Sequence, residues 1–381
     1  MREYFLVCVV AAAITFATTP MVRALAIRVG AVTAVRARDV HTHPIPRLGG
    51  VAMFLGFVGA TVVAGRLPHL SQIFESPEMR GVLIGAAIVT AVGALDDVTE
   101  LDWLTKLAGQ TIAAGAMAFF GVQLLSLPLF GVTVLPGPVL IGLTVVIVLV
   151  STNAVNFIDG LDGLAAGIVA IASLAFFLYA YQLSYTFDPP NVMSTATFIT
   201  AATLGACLGF LPHNFNPARL FMGDSGSLLL GLLLAATTIS MVGNIDPSAQ
   251  VNANAQVALY LPIALPLAVM SIPLLDMTLA VVRRTRRGQR PWTPDAQHLQ
   301  HRMLHIGHTH RRAVLLLYLW AGIVAFGVVS FAFVDGFWPV AAIAVAVLVA
   351  LLLTAKLPDW LDRRASRARA AGAAPAGERR R

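Results

Sequence analysis

Long apolar runs occupy most of this 381-residue sequence and decide what it can fold into. A helix that crosses a bilayer needs roughly 20 consecutive apolar residues. Apolar residues make up 57% of the chain and charged residues 12%, and that charged share is about half of what a soluble protein carries. The pattern predicts an all-α, polytopic integral membrane protein with about eleven transmembrane helices, at residues 4–27, 48–65, 81–95, 107–121, 138–154, 164–182, 195–212, 225–243, 257–281, 313–334 and 337–355.

The order of the basic residues along the chain predicts how these helices are oriented. Every second loop carries basic residues, whereas the intervening loops and the N-terminus carry only Arg2, Arg66 and Arg80. The alternate loops hold, in order, four arginines between residues 28 and 47, then Lys106, then Arg219, then eight arginines between residues 283 and 312. Because cytoplasmic loops are enriched in basic residues, the N-terminus is predicted to lie outside and the C-terminus in the cytoplasm. Ala24-Leu25-Ala26 resembles a signal-peptide cleavage site. The loop that follows is basic, however, so we expect the first helix to be retained.

The helices leave no room for a separate soluble domain. Residues 1–355 are therefore predicted to form one transmembrane domain whose functional loops face the cytoplasm. Residues 356–381 are predicted to be a basic, disordered cytoplasmic tail, because Arg, Ala, Gly and Pro supply too little apolar surface to fold alone. Cys8 and Cys207 lie within apolar runs, which argues against a disulfide framework. The clustered positive charge indicates an anionic membrane face rather than nucleic acid.

Five polar clusters fall in the loops predicted to be cytoplasmic, which suggests one active site at that membrane surface. The first is residues 43–50, where Gly49 and Gly50 allow close approach of a backbone to a ligand; a plain helix-entry turn is the preferred interpretation.

In the second cluster, Asp96 and Asp97 end the third span and Lys106 opens the fourth. Adjacent carboxylates at a helix C-terminus need a compensating cation, such as Mg²⁺ or a lysine. The alternative is an ordinary charged membrane boundary.

The third cluster, residues 153–163, lies between the fifth and sixth spans. Asn153 and Asn156 are one turn apart if the fifth helix continues, so both could face one ligand. Amide and carboxylate oxygens suit Mg²⁺, and the glycines free backbone N–H groups for phosphate. So many polar groups at the edge of the lipid are costly unless they are used, which favours a functional interpretation.

The fourth cluster, residues 214–227, places Asp224 and Ser225 at the start of the eighth span. Such residues cap a helix, and a carboxylate there can also hold a metal against a phosphate. The two roles are compatible.

The fifth cluster lies in the most basic loop, where His298, His301 and Arg302 form a candidate diphosphate clamp. Zinc is a competing interpretation that lacks cysteine partners. A solvated basic loop is the expectation for the histidines that follow, His305, His308 and His310. Asp276, inside the ninth span, is a functional candidate by default and stays unassigned.

These motifs resemble those of the polyprenyl-phosphate N-acetylhexosamine-1-phosphate transferases, the MraY/WecA-like membrane family, over about residues 43–312. The resemblance rests on four motifs in order: Asp96-Asp97 with Leu101, Asn153-x-x-Asn156-x-x-Asp159-Gly160, Phe221-Met222-Gly223-Asp224 with Ser225-Gly226-Ser227, and His298-x-x-His301-Arg302. The last motif is similar to the branch that uses UDP-N-acetylglucosamine, although Gln300 stands where that branch often has histidine.

The resemblance implies transfer of N-acetylglucosamine 1-phosphate from a UDP-sugar to undecaprenyl or decaprenyl phosphate. UMP would leave, in the first membrane step of cell-envelope glycan synthesis. It implies Mg²⁺ dependence, with Mn²⁺ as a substitute, and metal ligation by Asn156 and Asp224. Asp96, Asp97 and Asp159 are the implied catalytic carboxylates. The implied substrate-binding residues are Lys106, Asn153, Asn214, Phe221, His298, His301 and Arg302.

The expected partners are the UDP-N-acetylhexosamine donor, the polyprenyl phosphate acceptor, membrane lipids and a second copy of the chain in a homodimer. The expected location is the bacterial plasma membrane, with the site on its cytoplasmic face. A phospho-MurNAc-pentapeptide transferase is the main alternative. A secondary transporter would place its ionisable residues near the bilayer midplane. A membrane prenyltransferase would need a second aspartate-rich motif, and a CDP-alcohol phosphotransferase would need further spaced aspartates; both are absent from the sequence.

Overall fold

The computed structural model describes residues 1–32, 44–124, 127–128, 132–133, 135–184, 194–243, 281–288, 308–334 and 336–372, with isolated residues between 264 and 303. Side chains are described as far as residue 355, apart from those between 125 and 134. The α-helices are α1 Arg2–Arg28, α2 Gly49–Ala64, α3 Pro77–Thr99, α4 Trp103–Phe119, α5 Gly137–Ile158, α6 Leu164–Ser184, α7 Thr195–Asn214, α8 Gly223–Gly243, α9 His310–Ser330 and α10 Trp338–Gly372. A 3-10 helix covers Leu70–Glu75, and a two-residue strand pair joins Leu127–Pro128 to Val132–Thr133.

The prediction of a helical, multi-pass membrane protein is confirmed. Eight helices, α1, α3 and α5 to α10, are long and apolar enough to cross a membrane. Helix α2 is apolar but shorter, with 16 residues, and α4 has 17. The predicted span at 257–281 falls mostly outside the described residues. Helix α5 continues through its polar end to Ile158, as the spacing of Asn153 and Asn156 required.

Helix α8 lies at the centre of the helical assembly. Of its apolar window, 94% is buried, against 11% for α10 at the periphery. Helices α2, α3, α5, α6 and α7 all pack against it. A helix that is apolar on every side is suited to such a position, and the run from Leu228 to Ala236 is almost entirely buried. The residues at the ends of α8 are therefore fixed by several neighbours at once.

The tail prediction needs one correction. Helix α10 does not end near residue 355 but continues to Gly372, so the first part of the segment predicted to be disordered is helical. The prediction considered only whether the tail could form a core. Forming the first turn of a helix costs free energy, but the membrane-spanning part of α10 already supplies that turn. Alanine and arginine, which have high helix propensity, then extend the helix readily.

Candidate active site

Four helix ends meet at one end of the assembly and bring the predicted acidic residues together. Helices α3 and α5 arrive with their C-termini, and α4 and α8 begin there. A carboxylate at a helix C-terminus is destabilised by the helix dipole, whereas one beside a helix N-terminus is stabilised. The aspartates that end α3 are therefore compensated by groups from α4 and α8.

Asp97 caps helix α8 from outside that helix. Its Oδ1 accepts from the backbone N–H of Asp224 at 2.8 Å, and its Oδ2 accepts from that of Ser225 at 3.2 Å. These N–H groups are among those that a helix start leaves without intrahelical partners. Gly223 has φ +68°, and a Cβ at this position would collide with the Asp97 carboxylate. The glycine before Asp224 is thus required by the cap.

Lys106 joins Asp96 to Asp224. Its ammonium nitrogen lies 2.7 Å from Asp96 Oδ2 and 2.8 Å from Asp224 Oδ2. The other oxygen of Asp96 accepts from the Leu101 N–H at 2.7 Å. Asp96 is buried, and the Lys106 side chain is 28% exposed. One cation therefore holds two carboxylates from different helices in place, while it remains accessible.

Asn156 completes this chain of contacts from α5. Its amide nitrogen donates to Asp224 Oδ1 and to Ser227 Oγ, both at 2.9 Å. Asp224 is therefore held by α4 through one oxygen and by α5 through the other. We call the four residues Asp96, Lys106, Asp224 and Asn156 the polar network.

Asp159 follows α5 and differs from the other carboxylates. Its side chain makes no hydrogen bond within the described part of the chain. Burial, followed by repulsion from three neighbouring aspartates, raises the pKa of Asp159 to about 8, while Arg47 opposes the rise. Burial and the neighbouring aspartates therefore favour the protonated form of this carboxyl group.

The other predicted residue on α5, Asn153, does not join the polar network. Its amide nitrogen donates to Gln110 Oε1 at 2.7 Å and to the Leu149 carbonyl at 2.8 Å. Asn153 and Asn156 thus lie on neighbouring turns of α5 but contact different helices, α4 and α8.

Asn214 braces the loop that carries Asp159. The Asn214 Oδ1 accepts from the Gly163 N–H at 3.0 Å, and its amide donates to the Leu220 carbonyl, also at 3.0 Å. The side chain is buried. Asp162 reinforces the same contact, since its Oδ2 accepts from the Asn216 amide at 2.9 Å and the Ala218 N–H at 3.0 Å. The two polar loops are therefore tied to each other.

Phe221 lies where the start of α2 meets the segment before α8. Its N–H donates to the Pro46 carbonyl at 2.9 Å, and its carbonyl accepts from Gly49 at 3.0 Å. A Cβ on Gly50 would collide with the backbone of Ser225 and Gly226. The paired glycines of the first cluster thus allow two backbones to approach each other, which the helix-entry interpretation did not foresee.

The histidine loop is only partly described. His298, His301 and Arg302, as well as Asp276 and His305, lie outside the described residues. The prediction that His308 and His310 are solvated is wrong. His308 is buried and its Nε2 lies 2.9 Å from the Thr354 carbonyl. His310 Nε2 accepts from the Asp162 N–H at 3.1 Å. His308 thus contacts α10 and His310 contacts the loop between α5 and α6, and a sequence pattern of separate histidines did not reveal that packing.

Two residues near the site, Arg284 and Gln110, were not singled out in the sequence, and a third, Arg47, was given no role within the first cluster. The Arg284 guanidinium lies 5.7 Å from the centre of the Phe157 ring, and Arg284 is buried. Gln110 contacts Asn153, and Arg47 acts on Asp159. A buried arginine or glutamine beside a polar motif indicates a functional residue, but its burial is known only once the helices are placed. In the sequence, Arg284 is one of eight arginines between residues 283 and 312.

The residues present suit a hard divalent cation. Asp224 and Asn156 offer carboxylate and amide oxygens, and Mg²⁺ typically takes one or two protein carboxylates and completes its shell with water and phosphate. Asp96, Asp97, Asp159, Asp162 and Asp224 gather here with the cationic side chains of Lys106 and Arg47, and a divalent cation would favour the ionised forms of these carboxyl groups. No cluster of three or more acidic, histidine or cysteine side chains with metal-site geometry occurs among the described residues. Phosphate and water would therefore have to complete the coordination.

Comparison with known proteins identifies the family. Residues 79–242 match the model of glycosyl transferase family 4, a range that contains both α3 aspartates, Lys106, Asn156 and Asp224. A decaprenyl-phosphate N-acetylglucosaminephosphotransferase from Mycolicibacterium smegmatis is 46% identical over 365 residues, covering 93% of this chain and 88% of the relative. The chain belongs to glycosyl transferase family 4.

Two further family members place the chain among its relatives. A probable undecaprenyl-phosphate N-acetylglucosaminyl 1-phosphate transferase from Bacillus subtilis is 33% identical over 79% of this chain and 77% of its own length. A phospho-N-acetylmuramoyl-pentapeptide-transferase from Desulforudis audaxviator is 35% identical over 53% of this chain and 64% of its own length. Similarity to the N-acetylglucosamine proteins thus extends over more of the chain.

Proposed function

We propose that this protein transfers N-acetylglucosamine 1-phosphate from UDP-N-acetylglucosamine to a polyprenyl phosphate and releases UMP. The polar network carries the proposal, because it joins four helix ends around one accessible lysine in a chain that aligns almost end to end with transferases named for this reaction. Decaprenyl phosphate is the first acceptor to test, since the 46% identical relatives are named for it. Membership of this family leaves no support for the transporter and prenyltransferase alternatives.

The chemistry requires one phosphoryl transfer. An oxygen of the acceptor phosphate attacks the β-phosphorus of the donor, and the bond from that phosphorus to the bridging oxygen breaks. UMP leaves with the electron pair. A phosphate monoester has its second pKa near ~6, so the attacking oxygen is already largely ionised at neutral pH. The protein therefore has to position and neutralise phosphates rather than remove a proton.

Within this reaction, the contacts favour positioning roles for Asp96 and Asp97 rather than a role as a base. Asp97 uses both oxygens on the start of α8, and Asp96 uses one on Leu101 and one on Lys106. Lys106 would neutralise the acceptor phosphate. Asp159, Asn214 and Phe221 would form part of the nucleoside and sugar pocket. His298, His301 and Arg302 would contact the donor.

Asn156 and Asp224 would hold the divalent cation, Mg²⁺ or Mn²⁺. When bound, this ion would offset the charge of the diphosphate and of the departing UMP. Both Asp224 oxygens now accept from the protein, one from Lys106 and one from the Asn156 amide nitrogen. Rotation of the Asn156 amide by half a turn would present its oxygen beside Asp224. If the Lys106 ammonium group moved from Asp224 to a substrate phosphate, the second carboxylate oxygen of Asp224 would also be free.

The site would face the cytoplasm of a bacterial cell. Helix α1 begins at Arg2, near the opposite membrane face, and ends at Arg28. The start of α9, with Arg311 and Arg312, lies at the site end, where Arg311 donates to the Asn216 carbonyl at 2.9 Å. The positive-inside rule assigns the more basic end to the cytoplasm. A UDP-sugar made in the cytoplasm would then reach the site directly.

Labelled donors test the substrate assignment. Purified protein is given radiolabelled UDP-N-acetylglucosamine or UDP-MurNAc-pentapeptide, with decaprenyl or undecaprenyl phosphate and Mg²⁺, and label in the lipid is measured. We expect label to enter the lipid from UDP-N-acetylglucosamine. Transfer from UDP-MurNAc-pentapeptide alone would contradict the proposed donor while leaving the reaction class intact.

A further inference from the structure

A buried glutamine lies one turn deeper in the membrane than the polar network. Gln110 is 2% exposed and stands four residues after Lys106 on α4. That spacing places the two side chains on the same face of the helix, about 6 Å apart along its axis. Lys106 contacts Asp224, and Gln110 contacts the preceding turn of α5 at Thr152 and Asn153. Two successive turns of helix α4 therefore contact residues of the candidate site, the first through Lys106 and the second through Gln110.

The hydrogen bonds at Gln110 fix which way two amide groups point. The Leu149 carbonyl can only accept, so the Asn153 atom that lies 2.8 Å from it is the amide nitrogen. The same nitrogen lies 2.7 Å from Gln110, so the Gln110 atom there is the oxygen. The Thr152 hydroxyl, 3.0 Å from that oxygen, is placed to donate to it as well.

The arrangement determines what Asn153 offers to a ligand. Both N–H groups of its amide are used by Gln110 and Leu149. Its amide oxygen has no hydrogen bond to any residue in the described part of the chain, and the side chain is only partly buried. Without Gln110, the amide would lose one of the two acceptors that hold it and could turn its nitrogen toward the site.

We infer that Gln110 is a positioning residue, which holds Asn153 so that its amide oxygen faces the bound substrate. This inference rests on the proposed function, because it gives Asn153 a role in the transfer reaction. An outer residue that orients a ligand-contacting side chain typically changes activity by about 10- to 100-fold when it is replaced. A residue that only fills space between α4 and α5 would instead affect stability.

A double-mutant cycle separates these roles. Gln110→Met keeps the length of the side chain but removes its oxygen, and Asn153→Ala removes the group that Gln110 would position. The two single variants and the double variant are compared for kcat/KM in the transfer assay, with thermal midpoints in detergent. Ser151→Ala is the matched control, because Ser151 lies on the same turn of α5, is buried, and donates across helices to the Gly231 carbonyl at 2.7 Å.

We expect Gln110→Met to lower kcat/KM by roughly 10- to 100-fold, and the double variant to be no worse than Asn153→Ala alone. Ser151→Ala should change activity little, and its effect should multiply with that of Asn153→Ala. Gln110→Glu keeps an oxygen acceptor at the same distance, and burial should hold the new carboxyl group in its neutral form. Its kcat/KM should stay within about threefold of that of the native protein.

Independent, multiplying effects of Gln110→Met and Asn153→Ala would overturn the inference. If Gln110→Met does not fold, Gln110→Glu still decides, because a loss of activity as large as that of Asn153→Ala would also overturn it. An inactive native protein would instead refute the proposed function, so the two failures are distinguishable.

Discussion

At the scale of single residues, Lys106 is the point on which the candidate site depends. It lies within 2.8 Å of carboxylates from α3 and α8, and its side chain is 28% exposed. Removal of this cation would leave two acidic groups facing each other without compensation. The consequence should be seen in catalysis first, since the lysine is partly exposed and water can screen the repulsion.

We predict that Lys106→Met lowers kcat/KM by about 10²- to 10³-fold, a loss comparable to that of one stabilising donor at a phosphoryl or oxyanion site. Asp102→Ala is the matched control on the same helix. Asp102 caps α4 by accepting from the Thr105 N–H at 2.9 Å and is exposed. Steady-state kinetics of the purified variants provide the measurement. Equal losses for the two variants would show that α4 matters only as a folded helix.

The raised pKa of Asp159 predicts how the stability of the folded protein depends on pH. Its pKa is raised from 3.8 to about 8 in the folded protein, chiefly by burial and then by the neighbouring aspartates. The folded state therefore binds a proton that the unfolded state has lost, so this group reduces stability progressively as the pH rises from about 4 to about 8. Asp159→Asn removes the titration.

Thermal midpoints of Asp159→Asn and of the native protein, measured in EDTA, should accordingly diverge as the pH rises. The variant should be the more stable of the two at pH 8, and the difference should shrink toward pH 4. A difference that is constant with pH would show that the Asp159 carboxyl titrates normally in the folded protein.

At the scale of elements, glycines set how closely the helices around α8 can approach. A Cβ on Gly50 would collide with the backbone at the start of α8, and a Cβ on Gly93 would collide there from α3. A backbone obstacle cannot move aside as a flexible side chain can. These contacts place the first turn of α8, and therefore Asp224, relative to α2 and α3.

We predict that Gly50→Ala abolishes activity and sharply lowers the thermal midpoint. Gly142→Ala serves as its control, because a Cβ on Gly142 of α5 meets nothing within 4 Å. That substitution should be neutral or stabilise by about 0.5–1 kcal/mol through helix propensity. Full activity in Gly50→Ala would disprove the close approach of α2 and α8.

The same elements show what the sequence could and could not predict. Asp96, Asp224 and Asn156 were recognisable because polar groups at the ends of apolar runs are costly and therefore conspicuous. Gln110 was not recognisable, since one amide within an apolar helix has no periodic signal. The cap that Asp97 provides to α8 was not predictable for another reason. Asp97 and Gly223, the first residue of α8, are 126 residues apart along the chain, and only packing brings them together. The contacts of His308 with Thr354 and of His310 with Asp162 were hidden for the same reason.

At the scale of the whole molecule, the proposed function depends on which membrane face carries the polar network. The polar helix ends gather at the end with Arg28 and Arg311, and the N-terminus lies at the other end. The described helices pass back and forth between these ends, which matches the alternation of basic and less basic loops in the sequence. A site at the more basic end should face the cytoplasm.

Cysteine labelling tests this orientation. In a background with Cys8 and Cys207 replaced by alanine, single cysteines are introduced at the exposed positions Arg66 and Arg286. Intact cells are treated with a membrane-impermeant maleimide. We predict that Arg66→Cys is labelled in intact cells and Arg286→Cys only after the membrane is opened. The reverse pattern would place the polar network outside.

The central claim is that the polar network is the active site of a sugar-phosphate transferase, and UMP release tests it most directly. Purified protein is assayed with UDP-N-acetylglucosamine, decaprenyl phosphate and Mg²⁺, and with each component omitted in turn. Release of UMP should require all three, and Asp224→Asn should lower it by at least about 100-fold while the protein remains folded. UMP release that persists without the lipid phosphate, or that survives Asp224→Asn unchanged, would contradict the claim.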